Sequence, residues 1–110
     1  NDILEVLTYL LSDSGYEIEA LSSGEEIFET ISRFRPDLIL MDVMLAGMDG
    51  RDICRQLKEN IATHRLPVIL ISASHDLTQT IYHHGAPDDF VPKPFDIDHL
   101  LSKIKRQLVA

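Results

Sequence analysis

Apolar residues recur at helical spacing at Ile3, Leu4, Leu7, Leu10 and Leu11, and Gly15 follows where a helix takes a left-handed cap. The period then shortens to two. Tyr16, Ile18 and Ala20 alternate with Glu17 and Glu19, which predicts a strand with one wet face near a sheet edge. Ser23 and Glu26 have the spacing of an S-x-x-E capping box, opening a helix that buries Ile27, Phe28, Ile31 and, at its far end, Phe34; Pro36 closes it. Residues 38–41 are continuously apolar and end in Asp42, the mark of a strand covered on both faces. A loop over 44–50 with two glycines leads to a helix that turns Ile53, Cys54 and Leu57 inward, then Pro67 and a second apolar run, 68–71, ending in Ser72. A shorter helical stretch over 77–84 reaches Gly85 and a brief strand near Phe90 and Val91. Asp96 is placed to cap a last helix that buries Ile97, Leu100, Leu101, Ile104 and Leu108, with Lys103, Lys105 and Arg106 suited to the negative end of its dipole.

Helix and strand thus alternate through the chain with no repeat, linker or low-complexity segment. That order predicts an α/β fold, a doubly wound parallel sheet with helices on both faces, and its length suits a single domain over 1–110. In such folds chemistry gathers beyond the C-terminal ends of the strands, where strand order reverses. Asp42, Ser72 and Lys93 each follow an apolar strand, and Lys93 directly precedes Pro94.

Composition narrows the function. A formal charge of −8 opposes nucleic-acid binding by this chain, which would need Lys and Arg to neutralise phosphates. Apolar runs of four residues fall far short of the roughly 20 that a membrane helix requires. Cys54 is the single cysteine, so neither an internal disulfide nor a cysteine-based zinc site can form, and a reducing, cytoplasmic setting is expected. His64, His75, His83, His84 and His99 fall in predicted loops or on wet helix faces. The adjacent pair His83 and His84 would point about 100° apart on a helix, unsuited to chelating one ion. Met41, Met44 and Met48 read as loop and core packing. Most of the acids at segment boundaries, Asp49, Asp76, Asp88, Asp89 and Asp96 among them, read as caps and turn residues.

A carboxylate, a hydroxyl and an ammonium at one sheet edge make chemical sense if a phosphoryl group is to be accepted and held. The carboxylate attacks phosphorus, and a divalent cation, a lysine and a hydroxyl donor stabilise the charge on the equatorial oxygens. Mg²⁺ suits such a site because it tolerates one or two carboxylates together with waters and phosphate oxygens. An Asp after a strand is, taken alone, more often a turn or cap residue; the ordered combination of strand-Asp, strand-Ser and strand-Lys-Pro is what carries the inference.

The chain resembles the response-regulator receiver domains over essentially its whole length. The stretches that carry the likeness are Pro36-Asp37-Leu38-Ile39-Leu40-Met41-Asp42-Val43-Met44-Leu45, Gly47-Met48-Asp49-Gly50, Pro67-Val68-Ile69-Leu70-Ile71-Ser72-Ala73 and Asp89-Phe90-Val91-Pro92-Lys93-Pro94-Phe95. The resemblance implies a flavodoxin-like (βα)5 fold with strand order 2-1-3-4-5. It makes Asp42 the phosphoacceptor, Met44 a backbone-carbonyl ligand to Mg²⁺, Ser72 and Lys93 contacts of the phosphoryl group, and the Lys93–Pro94 peptide cis. It also implies a switch in which Ser72 moves toward the phosphate and Phe90 turns inward behind it. The expected donor is a histidine kinase or phosphotransfer domain, with an output domain, an effector protein or a homodimer as the receiving side. The chain would assist its own Mg²⁺-dependent phosphorylation and dephosphorylation without being a turnover enzyme.

Three departures stand out. The family's first strand and its acidic pair of metal ligands are missing from the given chain, which starts at Asn1-Asp2-Ile3-Leu4. Further residues before Asn1, or another chain in the vacant slot, are therefore expected, and Asp2 is assigned to the start of the first helix. Ala46 stands where the family usually has proline, and residues 75–85 are short for a fourth helix, with Pro87 lengthening the turn that follows. Two other functions compete. A pseudo-receiver would keep the shape as an interaction module without phosphorylation. A flavodoxin-like cofactor domain would share the fold, but no G-x-G-x-x-G or G-x-x-x-x-G-K-[ST] stretch is present.

Overall fold

The two continuous apolar runs and the short stretch around Val91 become neighbouring strands of one parallel sheet. The computed structural model describes residues 2–21, 26–45, 48–72, 87–92 and 96–109. Within them the elements are α1 (Asp2–Asp13), α2 (Ile27–Phe34), β1 (Ile39–Asp42), β2 (Met44–Leu45), β3 (Met48–Asp49), α3 (Gly50–Glu59), β4 (Val68–Ser72), β5 (Asp89–Pro92) and α4 (Ile97–Leu108). The sheet order is β1-β4-β5, all parallel, with Ile39 opposite Val68, Asp42 opposite Ile71 and Ser72 opposite Pro92. The predicted helix over 77–84 lies outside the described residues.

Alternation along the strands builds two apolar layers. Met41, Val43, Val68 and Leu70 face α2 and α3, where they meet Ile27, Ile53, Cys54 and Leu57. Ile69, Ile71 and Val91 face α1 and α4, meeting Leu7, Leu11, Leu100 and Ile104. Helices cover both sides, as parallel strands without a wet face require.

Several helix ends are as expected. Gly15 takes φ 97° after α1, and Tyr16 N–H donates to the Leu11 carbonyl at 3.1 Å. The Asp96 carboxylate accepts from Asp98 N–H at 2.8 Å and caps α4, and the last turn of that helix carries Lys105 and Arg106.

Four expectations are corrected. Residues 16–20 carry no strand, because a strand needs a neighbour to bond and, among the described residues, β1 is paired only on its β4 side. Their alternation still serves packing, since Tyr16 and Ile18 lie against the α1/α4 layer. Helix α2 opens at Ile27, so Glu26 is its N-cap rather than the third helical residue of a capping box, and it makes no side-chain cap bond; Ser23 lies outside the described residues. Phe28 is exposed, because the sheet-facing stripe of α2 runs Ile27, Thr30, Ile31 and a residue adjacent to Ile27 is turned about 100° away. Leu108 is likewise exposed, one turn beyond the buried Ile104.

Two outcomes are expected from this framework. Arg35, after α2, holds the left-handed conformation with φ 55° and ψ 63°, a region that crowds any Cβ. Arg35→Gly should raise stability by about 0.5–1 kcal/mol, measured as a higher urea midpoint with an unchanged slope. Burial pushes the fully enclosed Cys54 thiol up to about 11 from 9.0, with nearby Lys58 opposing and Asp88 adding to the shift. The folded state therefore favours the neutral thiol. That contribution is complete below pH 9 and is lost as pH rises through about 11. Alkaline unfolding of wild type should accordingly show an extra loss on the order of 2–3 kcal/mol over that window relative to Cys54→Ala, compared by urea titration at each pH.

Candidate functional site

The C-terminal edge of the sheet collects the polar strand ends. Asp42 closes β1 half-buried, opposite Ile71, and Val43 N–H donates to the Ile71 carbonyl at 2.9 Å, carrying the ladder one bond beyond the strand. Ser72 stands one residue past Ile71 and opposite Pro92. Strand spacing of about 4.8 Å and a rise of about 3.3 Å per residue put the backbones of Asp42 and Ser72 roughly 6 Å apart. Lys93 is the next residue after Pro92; residues 93–95, and with them the Lys93–Pro94 peptide, lie outside the described residues.

Behind Asp42 the predicted loop over 44–50 holds two short paired strands, β2 and β3, with residues 46–47 outside the described residues. Met44 pairs antiparallel with Asp49 and Leu45 with Met48, and Gly50 N–H donates to the Val43 carbonyl at 2.8 Å. Bonded and non-bonded pairs alternate in such a ladder, so with Val43 and Gly50 bonded, Met44 stands at a pair whose backbone groups are not exchanged. Within that ladder its carbonyl therefore points away from Asp49, two residues from Asp42. Gly50 closes the arrangement from below. A Cβ there would run into the Asp42 carbonyl oxygen and come within 3.0 Å of Val43 Cα and 3.2 Å of the Asp42 carbonyl carbon. Asp49 then starts α3, its carboxylate accepting from Arg51 N–H at 2.9 Å. The Arg51 guanidinium, bonded through Nε at 3.2 Å and Nη2 at 2.9 Å, holds that carboxyl below its ordinary range.

A family model for the response regulator receiver domain matches residues 1–105. The chain belongs to that family. It is 35% identical over 107 residues to the response regulator MprA of Mycobacterium leprae, covering 96% of this chain and 46% of that protein. The chain therefore spans about half the length of such curated relatives. Among solved structures it is similar to the receiver domain of a signal transduction histidine kinase from Syntrophus aciditrophicus, with TM-score 0.84, 36% identity, and coverage of 96% and 80% of the two chains. It is also similar to the receiver domain of the sensor histidine kinase PA1611 from Pseudomonas aeruginosa, with TM-score 0.83, 25% identity, and coverage of 100% and 92%; that protein carries a magnesium ion coordinated in its active-site cleft.

In this receiver domain the start of β5 holds a feature that periodicity did not reveal. Asp88 and Asp89, read from sequence as turn residues, each engage a lysine from a different helix. Lys58 of α3 donates to Asp88 Oδ2 and, at 2.9 Å, to the Leu66 carbonyl, while the same Oδ2 accepts Val68 N–H at 2.8 Å. Lys103 of α4 donates to Asp89 Oδ1 at 2.8 Å and lies 5.8 Å from the centre of the Phe90 ring. The available signal was Lys103 three residues after the buried Leu100, one turn along the same face of the helix, where a long stem lies against the core and its ammonium reaches the strand. His64 and His99 are exposed, as expected. Among the described residues no three His, Cys, Asp or Glu side chains gather as a metal cluster, and no helix is long and apolar enough to cross a membrane.

Gly50→Ala should force the β2–β3 pair away from Asp42. The expected result is a loss of about 1–3 kcal/mol in urea unfolding, against a near-neutral change for Gly15→Asn, whose left-handed site is open.

Proposed function

We propose that this chain is the phosphoacceptor module of a two-component signalling protein and that Asp42 takes the phosphoryl group. The observation that carries the reading is the register that ends β1, β4 and β5 together, with Asp42, Ser72 and Pro92, the residue before Lys93 in sequence, along one edge. The Asp42 carboxylate attacks the phosphorus of a phosphohistidine on a histidine kinase or phosphotransfer domain. The new O–P bond forms as the P–N bond breaks, and the leaving imidazole takes up a proton. Ser72 and Lys93 follow as the donors that meet the phosphoryl oxygens, with Lys93 supplying charge and Ser72 a hydroxyl.

The donor set fits a hard divalent cation, since the Asp42 carboxylate and the Met44 backbone carbonyl are both oxygen ligands. When bound, Mg²⁺ supplies charge neutralisation to the phosphoryl oxygens. Acceptance of one phosphoryl group, followed by its hydrolysis, makes this a signalling switch rather than a turnover enzyme. Output passes to a further domain or effector, and nucleic-acid contact is not assigned to this domain, whose net charge is −8.

Incubation with Mg²⁺ and acetyl phosphate should add one phosphoryl mass to the intact protein, and Asp42→Asn should abolish the addition. Absence of the added mass in wild type would favour a pseudo-receiver, and its persistence in Asp42→Asn would move the acceptor elsewhere.

A further inference from the structure

Phe90 is held from two directions by one carboxylate. Asp89 Oδ1 accepts the Phe90 backbone N–H at 2.8 Å, and the same oxygen accepts the Lys103 ammonium at 2.8 Å. The lysine side chain is 15% exposed and the aspartate 17%, so both groups are largely withdrawn from water. From that anchored position Lys103 Nζ sits 5.8 Å from the Phe90 ring centre, within cation–π range. The ring meanwhile packs against the layer formed with α2 and α3, whereas Lys103 belongs to α4 on the opposite face. Backbone and ring of Phe90 are thus tied to α4 through a single anion.

We propose that Lys103 is a positioning residue that latches Phe90 in its resting arrangement, so that the aromatic must leave the cation before it can follow the phosphoryl group. This rests on the reading of Asp42 as phosphoacceptor and of Phe90 as the side chain that moves. A contact made only in the resting state lowers the population of the other state by its own differential energy. Loss of the Lys103–ring contact should therefore raise the phosphorylated fraction at limiting acetyl phosphate by roughly two- to fivefold.

The test replaces Lys103 in the full-length protein. Lys103→Met keeps the length of the stem and removes the charge; Lys103→Arg keeps a cation able to bind both carboxylate and ring. In fluorophenylalanine-labelled protein without phosphodonor, the Phe90 resonance, assigned by its loss in Phe90→Leu, should shift or split in Lys103→Met and stay near its wild-type position in Lys103→Arg. With Mg²⁺ and limiting acetyl phosphate, Lys103→Met should show the increase, Lys103→Arg should lack it, and adding Lys103→Met to Phe90→Leu should change nothing further. If Lys103→Met does not fold, Asp89→Asn, which keeps an acceptor for Phe90 N–H and weakens the lysine's anchor, must move the resonance in the same direction. An unmoved Phe90 resonance overturns the latch, as does an equal increase in the Phe90→Leu background. Failure of wild type to take up phosphoryl defeats the signalling reading alone, because the fluorine spectrum still decides the latch.

Discussion

A strand buried on both faces has no wet side to dictate its register, and the centre of this sheet is in that position. Val68, Ile69 and Leu70 are all fully enclosed, facing two apolar layers by turns. Sliding β4 past β1 by one residue would exchange one aliphatic contact for another at little cost in burial. Register is set instead at the ends. Ile39 N–H donates to the Pro67 carbonyl at 2.9 Å at the start of β1. Asp88 brackets Val68, giving its N–H to the Val68 carbonyl at 2.9 Å and taking Val68 N–H on its carboxylate at 2.8 Å. At the other end Asp42 is the first charge met after the apolar run, and a slip that drew it in among the apolar side chains of either layer would cost on the order of several kcal/mol. The carboxylate assigned to chemistry also marks where the strand must stop.

The same economy governs the cations. Arg33–Glu19, at 3.5 Å with the arginine 62% exposed, is a pair of the kind that contributes little. Lys58 and Lys103 are different, with side chains only 12% and 15% exposed and both aimed at the start of β5. Removing the acid from either pair leaves a poorly solvated ammonium, which is the costly case. β5 is four residues long and paired on one side among the described strands, and it is fastened from α3 on one side and α4 on the other. Its position is an electrostatic matter as much as a packing one.

These facts explain what the sequence made legible. The apolar runs ending in Asp42 and Ser72, the cap at Asp96 and the inward face of α3 are local signals, each readable within one turn or one strand. Family membership was legible for the same reason, because the motif residues lie where strands end. What escaped depended on partners distant in sequence. Residues 16–20 alternate correctly but have no strand beside them among the described residues, and alternation cannot report whether a neighbour exists. Phe28 was misplaced because an apolar residue adjacent to Ile27 was given the same face, against the 100° step of a helix. Glu26 fits a capping box by spacing, yet the helix opens one residue after it. The role of Gly50 appeared only when its neighbour in space, the Asp42 carbonyl, was known.

A phosphoryl group on Asp42, as proposed, would add about two negative charges at the C-terminal edge, and the architecture limits where that change can be felt. β4 is enclosed on both faces and β1 is backed at Asp42 by the Gly50 contact, which leaves the centre of the sheet little freedom to respond. Phe90 is only half-buried, on a strand paired on one side among the described strands. Its ring belongs to the α2/α3 layer while its cation comes from α4. A sheet ordinarily separates its two layers; around this edge they meet through one ring and one ion pair. A charge placed at the strand ends, as proposed for Asp42, would therefore have a route to a helix on the far face through the half-buried Phe90 and the Asp89–Lys103 pair.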